Sequence, residues 1–152
     1  MYKSKIVILA FVVLIITLLF FLLYPVKTAV SNPRLCVKNT CFNVTIAGTP
    51  AERERGLMFV TKMKPDAGMF FIFEQNGIYP FWMKNTLLPL DIIWIDENGE
   101  ISFIKHSAQP CFEYSCPVIS PATEARYVLE VNAGAAERLQ LQTGDAVIYP
   151  VE

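Results

Sequence analysis

Apolar positions fall into two regimes along this chain. From Ile6 to Tyr24 they follow one another almost without a break, with Thr17 as the polar exception and Tyr24 as an interfacial end. A helix over that stretch reaches roughly 28 Å, close to the ~30 Å hydrocarbon core of a bilayer. The pattern predicts one transmembrane helix, because a buried core helix of that length needs an enclosing domain that the remaining residues do not easily supply. After residue 33 the apolar runs become short, alternating, and bounded by turn residues, as in a half-buried sheet.

The first two runs, Leu35–Lys38 and Phe42–Ala47, read as strands. In the second, Phe42, Val44 and Ile46 alternate with Asn43 and Thr45. Thr49-Pro50-Ala51-Glu52 then offers an N-cap, a proline in the first turn and a capping-box glutamate, and Gly56 closes the short helix so begun. Met69–Phe73 suits a strand buried on both faces; Tyr79–Met83 and Leu90–Asp96 follow. Asn98-Gly99 is the strongest hairpin signal, with Ile92–Ile95 before it and Ile101–Ile104 after. The proline-bearing segment from Gln109 to Pro121 is excluded as a central strand. Tyr127–Val131 is a further strand, Ala133–Leu139 a second short helix, and Ala146–Tyr149 a final strand. Roughly eight strands and two short helices predict a mainly β fold, a small antiparallel barrel-like domain that closes its own edges. The domain reading is a cytoplasmic tip and anchor over 1–25, a linker over 26–33, and the β domain over 34–152.

Charge adds topology. Lys3 and Lys5 precede the apolar run, and the positive-inside bias then places everything after Pro25 on the extracytoplasmic side. A cleaved signal peptide, with Ala29-Val30-Ser31 as its cleavage site, is the rival; the run is longer than the usual ~7–15-residue h-region. Either way the domain is expected in the periplasm or outside the cell, held to the membrane through residues 6–24. The cysteines agree: Cys36, Cys41, Cys111 and Cys116 form two C-x4-C pairs, and disulfides persist in oxidising compartments. Three pairings are open; the local ones are preferred, since each pair flanks a turn-like segment. A four-thiolate zinc site is disfavoured by this spacing and by the compartment. The exported part carries a slight acidic excess and no basic stripe, so nucleic acid is not an expected partner.

Gly56-Leu57-Met58-Phe59, Gly68-Met69-Phe70-Phe71 and Phe81-Trp82-Met83-Lys84-Asn85-Thr86 with Pro89-Leu90-Asp91 resemble the DUF192 family. Asp96 and Gly99, Ala108 with Pro110, Tyr127-Val128-Leu129-Glu130, Gly134 and Gly144-Asp145 extend the resemblance over about residues 41–151. It implies a compact β-rich domain with short helices and brings no activity, since the family is one of unknown function. Two departures stand out. Val60 occupies a position where members often carry a basic residue, and the four cysteines are not part of the family pattern.

Candidate chemistry centres on Trp82, Lys84, Asn85 and Thr86 with Asp91 and Glu130. An aromatic plate beside an ammonium, an amide and a hydroxyl is the make-up of a ligand pocket, and the expectation is a site for a small molecule, a glycan or a partner protein. The structural alternative has Trp82 and Met83 in the core, Asn85 and Thr86 capping a turn, and Lys84 paired with Asp91. Glu130 stands within an apolar strand and needs a partner if it points inward, for which Lys84 and Arg126 are available. An acid/base hydrolase using Asp91 and Glu130 is the enzymatic alternative, and an accessory envelope module without a pocket the third. His106 is the single histidine and reads as a solvated strand end. Met58, Met69 and Met83 suit core filling better than copper(I), and C-x4-C is not the spacing of a reactive dithiol. No cofactor and no metal is expected.

Overall fold

The computed structural model describes residues 13–17, 19–20 and 33–149. The chain divides into two units, Met1–Ser31 and Asn32–Glu152. In the first, residues 13–17 and 19–20 are helical, with exposed side chains including Leu14, Ile16 and Phe20. Among the described residues no helix is long and apolar enough to cross a membrane. This finding stands against the expected transmembrane helix. The rest of the apolar run over 6–24, and the expected linker except Pro33, lie outside the described residues.

The second unit is mainly β. Its strands are β1 (Arg34–Val37), β2 (Thr40–Ala47), β3 (Ala67–Gly77), β4 (Phe81–Trp82), β5 (Leu90–Ile95), β6 (Ile101–Ala108), β7 (Val118–Ile119), β8 (Ala125–Asn132) and β9 (Val147–Ile148). Two short helices accompany them, α1 (Pro50–Arg55) and α2 (Ala135–Arg138). Seven strands form one sheet in the order β6-β5-β8-β3-β2-β1-β9, and β4 pairs with β7 apart from it. The expected antiparallel barrel is corrected on two counts. β2 and β3 run parallel, because residues 48–66, with α1, form a crossover, which a parallel pair requires. The sheet is also curled only into a half-barrel. Its end strands approach at one corner, where Ile101 N donates to Asp145 O at 3.0 Å and Val147 N to Gly99 O at 2.8 Å.

Local chemistry places α1 where the sequence puts it. The Thr49 hydroxyl accepts from Glu52 N and the Glu52 carboxylate accepts from Thr49 N, a reciprocal capping box. Gly56 ends the helix at φ 45°, a conformation that a side chain disfavours. Asn98-Gly99 turns β5 into β6 with Gly99 at φ 81°.

Every residue of β5 is buried. One face of the sheet packs Leu35, Phe42, Phe70, Ile93, Leu129 and Val131; the other packs Ala47, Phe71, Met83, Ile92, Trp94 and Val128. β5 contributes alternately to both, as the period of two requires. On the second face Phe81 meets Phe71 and Trp94 edge-on, with centroids 4.9 and 5.6 Å apart. The Trp94 indole donates to Tyr79 O at 2.8 Å. That aromatic layer is the floor on which the candidate site is built.

Candidate functional site

The segment Trp82–Thr86 is a strap laid over the second core. Met83 points inward and is buried, while Trp82 keeps 42% of its surface in solvent. Lys84 lies on the Trp82 side, its ammonium 5.3 Å from the indole ring, a cation–π distance. Two neighbours hold the strap by its backbone. Asn85 N donates to Cys111 O at 2.9 Å and Cys111 N to Met83 O at 3.0 Å; on the other side Phe59 N donates to Asn85 O at 2.9 Å. Asn85 and Phe59 both adopt left-handed backbone, at φ 55° and 63°. Asparagine tolerates that conformation, but an aromatic residue there is strained, and Phe59 is two-thirds exposed.

Between the strap and the last turn of α1 lies a shallow cleft, open to solvent, with about 30 Å³ of free space. Its lining includes Arg53, Arg55 and Leu57 from α1 and the turn after it, Trp82, Lys84 and Thr86 from the strap, and Phe71, Phe81 and Glu130 from the sheet and its aromatic layer. Glu130 comes from the middle of β8, opposite Met69 on β3 and Ile92 on β5. β3 approaches so closely there that a Cβ on Gly68 would sit 2.7 Å from Glu130 O. Glu130 is 4% exposed, and its Oε2 has no hydrogen-bond partner among the described residues. Burial pushes its carboxyl up to about 8, so it holds a proton at neutral pH.

The expected partners of Glu130 do not reach it. Among the described residues the salt bridge is Lys38–Asp145, so Lys84 pairs with neither Glu130 nor Asp91. Arg126 lies over the Tyr127 ring, with its Nε buried and without a hydrogen-bond partner among the described residues.

Asp91 is placed elsewhere. It stands opposite Val131 while Glu130 stands opposite Ile92, and adjacent residues of a strand face opposite sides. The sheet therefore separates the two carboxyls, and they do not share a cleft. Asp91 is fully buried; Oδ1 accepts from Ser107 N at 2.9 Å and Oδ2 from Ala136 N at 2.8 Å. α2 begins at Gly134, which offers no side-chain cap, and Asp91 supplies that acceptor from β5. Ser107, at φ 47°, sits at an irregularity in the β5–β6 register, and the same carboxylate pins it.

Of the residues singled out in the sequence, Trp82, Lys84, Thr86 and Glu130 meet at the cleft. Asn85 serves it through its backbone, and Asp91 lies across the sheet. His106 is exposed on β6. Met69 and Met83 pack with the second core, and Met58 borders the cleft. Cys36–Cys41 and Cys111–Cys116 are disulfides, the two local pairs. Sequence reasoning missed Arg53 and Arg55; their position in the helical turn before Gly56-Leu57-Met58 was the available signal. Arg53 donates to Gly48 O and, at 2.9 Å, to Ile72 O, and lies 5.0 Å over the Phe73 ring.

The DUF192 family model, described as an uncharacterized ACR, matches residues 34–149. A UPF0127 protein of Thermococcus gammatolerans is 28% identical over 113 residues, covering 72% of this chain and 67% of its own. Two solved structures share the fold. One, from Sinorhizobium meliloti 1021 and described as a candidate transcription regulator, is 38% identical with a TM-score of 0.70, covering 77% of this chain and 91% of that one. The other, a protein of unknown function from Novosphingobium aromaticivorans, is 33% identical with a TM-score of 0.71, covering 82% and 89%.

Proposed function

The chain belongs to the DUF192 family, and from that premise we propose that its β domain is a binding module whose site is the cleft between α1 and the Trp82–Thr86 strap. One observation carries the reading: Glu130, whose buried carboxyl oxygen has no partner among the described residues, lines the same cleft as a half-exposed tryptophan. Buried polar atoms are nearly always satisfied, and an orphan at the base of a concavity awaits a hydrogen bond from an occupant. The strained, exposed Phe59 beside the strap points the same way, since such backbone clusters at ligand sites. Its free space, about 30 Å³, is a small fraction of the ~300–1,000 Å³ of pockets that enclose drug-sized ligands. It suits one small terminal group of a ligand, with the remainder lying outside on the surface.

The hydrolase alternative loses its geometry, because general acid/base work by Asp91 and Glu130 needs both at one substrate. The two disulfides support an oxidising, extracytoplasmic setting for the domain. The acidic excess after residue 32 and the lack of a basic stripe argue against nucleic acid as the occupant.

The test is a thermal-shift screen of the full chain against small acids, sugars, amino acids and short peptides, repeated with Trp82→Ala. Hits that raise Tm in the native protein and lose their effect in the variant are expected. Hits that persist unchanged in Trp82→Ala would place binding elsewhere.

A further inference from the structure

The make-up of the cleft narrows what it receives, on the reading that it is the binding site. Arg53, Arg55 and Lys84 put three cationic groups on its walls, against one exposed acid, Glu54. The strands flanking Glu130 place Met69 and Ile92 directly opposite it, and the charged residues on that sheet face include Lys105, beyond Ile92 on β6, and Arg126, further along β8. Arg53 is occupied by the carbonyls of Gly48 and Ile72, which leaves Lys84 and Arg55, neither of them in a salt bridge among the described residues, facing an excess of positive charge in the cleft. A cationic occupant would enter against like charge, and a neutral one would leave those two groups uncompensated. The free space, about 30 Å³, admits only a compact group.

We infer that the cleft receives a single carboxylate of its ligand, drawn in by Lys84 and Arg55 and hydrogen-bonded by the Glu130 carboxyl, with the rest of the ligand lying against Trp82. An acid and a carboxylate share one proton well, whereas two carboxylates side by side repel. The protonated Glu130 acts as the donor. Since burial sets its titration at about 8, raising the pH from 7 to 9 removes that donor and introduces a repelling charge. Affinity is then expected to fall by about tenfold over that interval.

The probes are phenylacetate, phenylacetamide and phenyl phosphate, titrated calorimetrically into the full chain at pH 7 and pH 9. Phenylacetate is expected to bind at least about tenfold tighter than the amide. The pH effect is expected to vanish in Glu130→Gln, and Lys84→Met is expected to weaken binding at both pH values. Equal affinity for acid and amide overturns the carboxylate assignment and leaves the cleft as a binding site. Tighter binding of phenyl phosphate, or a pH effect that survives Glu130→Gln, overturns it as well. No binding of any probe, alongside Trp82-dependent neutral hits in the thermal screen, overturns this inference alone; a screen without Trp82-dependent hits takes the binding reading with it.

Discussion

Glu130 and Asp91 are adjacent-strand acids with opposite fates, and the difference is one of hydrogen bonding. Asp91 spends both oxygens on backbone N–H groups of Ser107 and Ala136. Glu130 leaves Oε2 without a partner among the described residues, and burial pushes its carboxyl from 4.5 up to about 8. Between those two values the folded protein keeps a proton that the unfolded chain has released. Stability therefore declines as pH rises through that window. Glu130→Gln removes the penalty: it is expected to match the native protein near pH 4 and to exceed it by about 2–4 kcal/mol at pH 8. Urea unfolding at each pH reads the difference, and a gap independent of pH would mean that Glu130 titrates as an ordinary carboxylate. Asp91→Ala strands a buried donor at Ala136 and a part-buried one at Ser107 and is expected to cost about 2–4 kcal/mol. Ligand affinity of its folded fraction should be unchanged; a loss there would tie Asp91 to the site.

The elements most readable in the sequence are those fixed by neighbours along the chain. Thr49–Glu52 wrote the capping box, Asn98-Gly99 the hairpin, and each C-x4-C pair its own disulfide. What the sequence left open is set by distant partners. β2 lies parallel to β3 because α1 intervenes, and nothing in Phe42–Ala47 itself names that neighbour. The separation of Asp91 from Glu130 follows from the β5–β8 register, which the two isolated segments do not encode. Arg53 and Arg55 became part of the cleft only once α1 was packed beside the strap. The strap also depends on the Cys111–Cys116 loop, whose Cys111 backbone binds both Met83 and Asn85. Replacing both cysteines by serine is expected to speed amide exchange at Asn85 and to weaken ligand binding several-fold. The Cys36→Ser, Cys41→Ser pair, at the far hairpin, is expected to cost about 2 kcal/mol of stability and leave Asn85 exchange unaltered. Identical behaviour of the two variants would uncouple the Cys111 loop from the site.

Across the whole β unit, one curled sheet serves two cores, and the division of labour follows its faces. The face bearing Phe70 and Leu129 is sealed by α2 and held at its margin by Asp91. The face bearing Phe71 and Trp94 is left open between α1 and the strap, and the orphaned carboxyl lies there. The chain has two tryptophans, one buried in the aromatic floor and one at the mouth, so 5-fluorotryptophan labelling gives each a separate 19F resonance. The decisive titration adds a ligand found in the screen to the labelled protein. The account predicts that the Trp82 signal moves in step with calorimetric binding while the Trp94 signal stays nearly still. Saturable binding that leaves the Trp82 resonance where it was would contradict it.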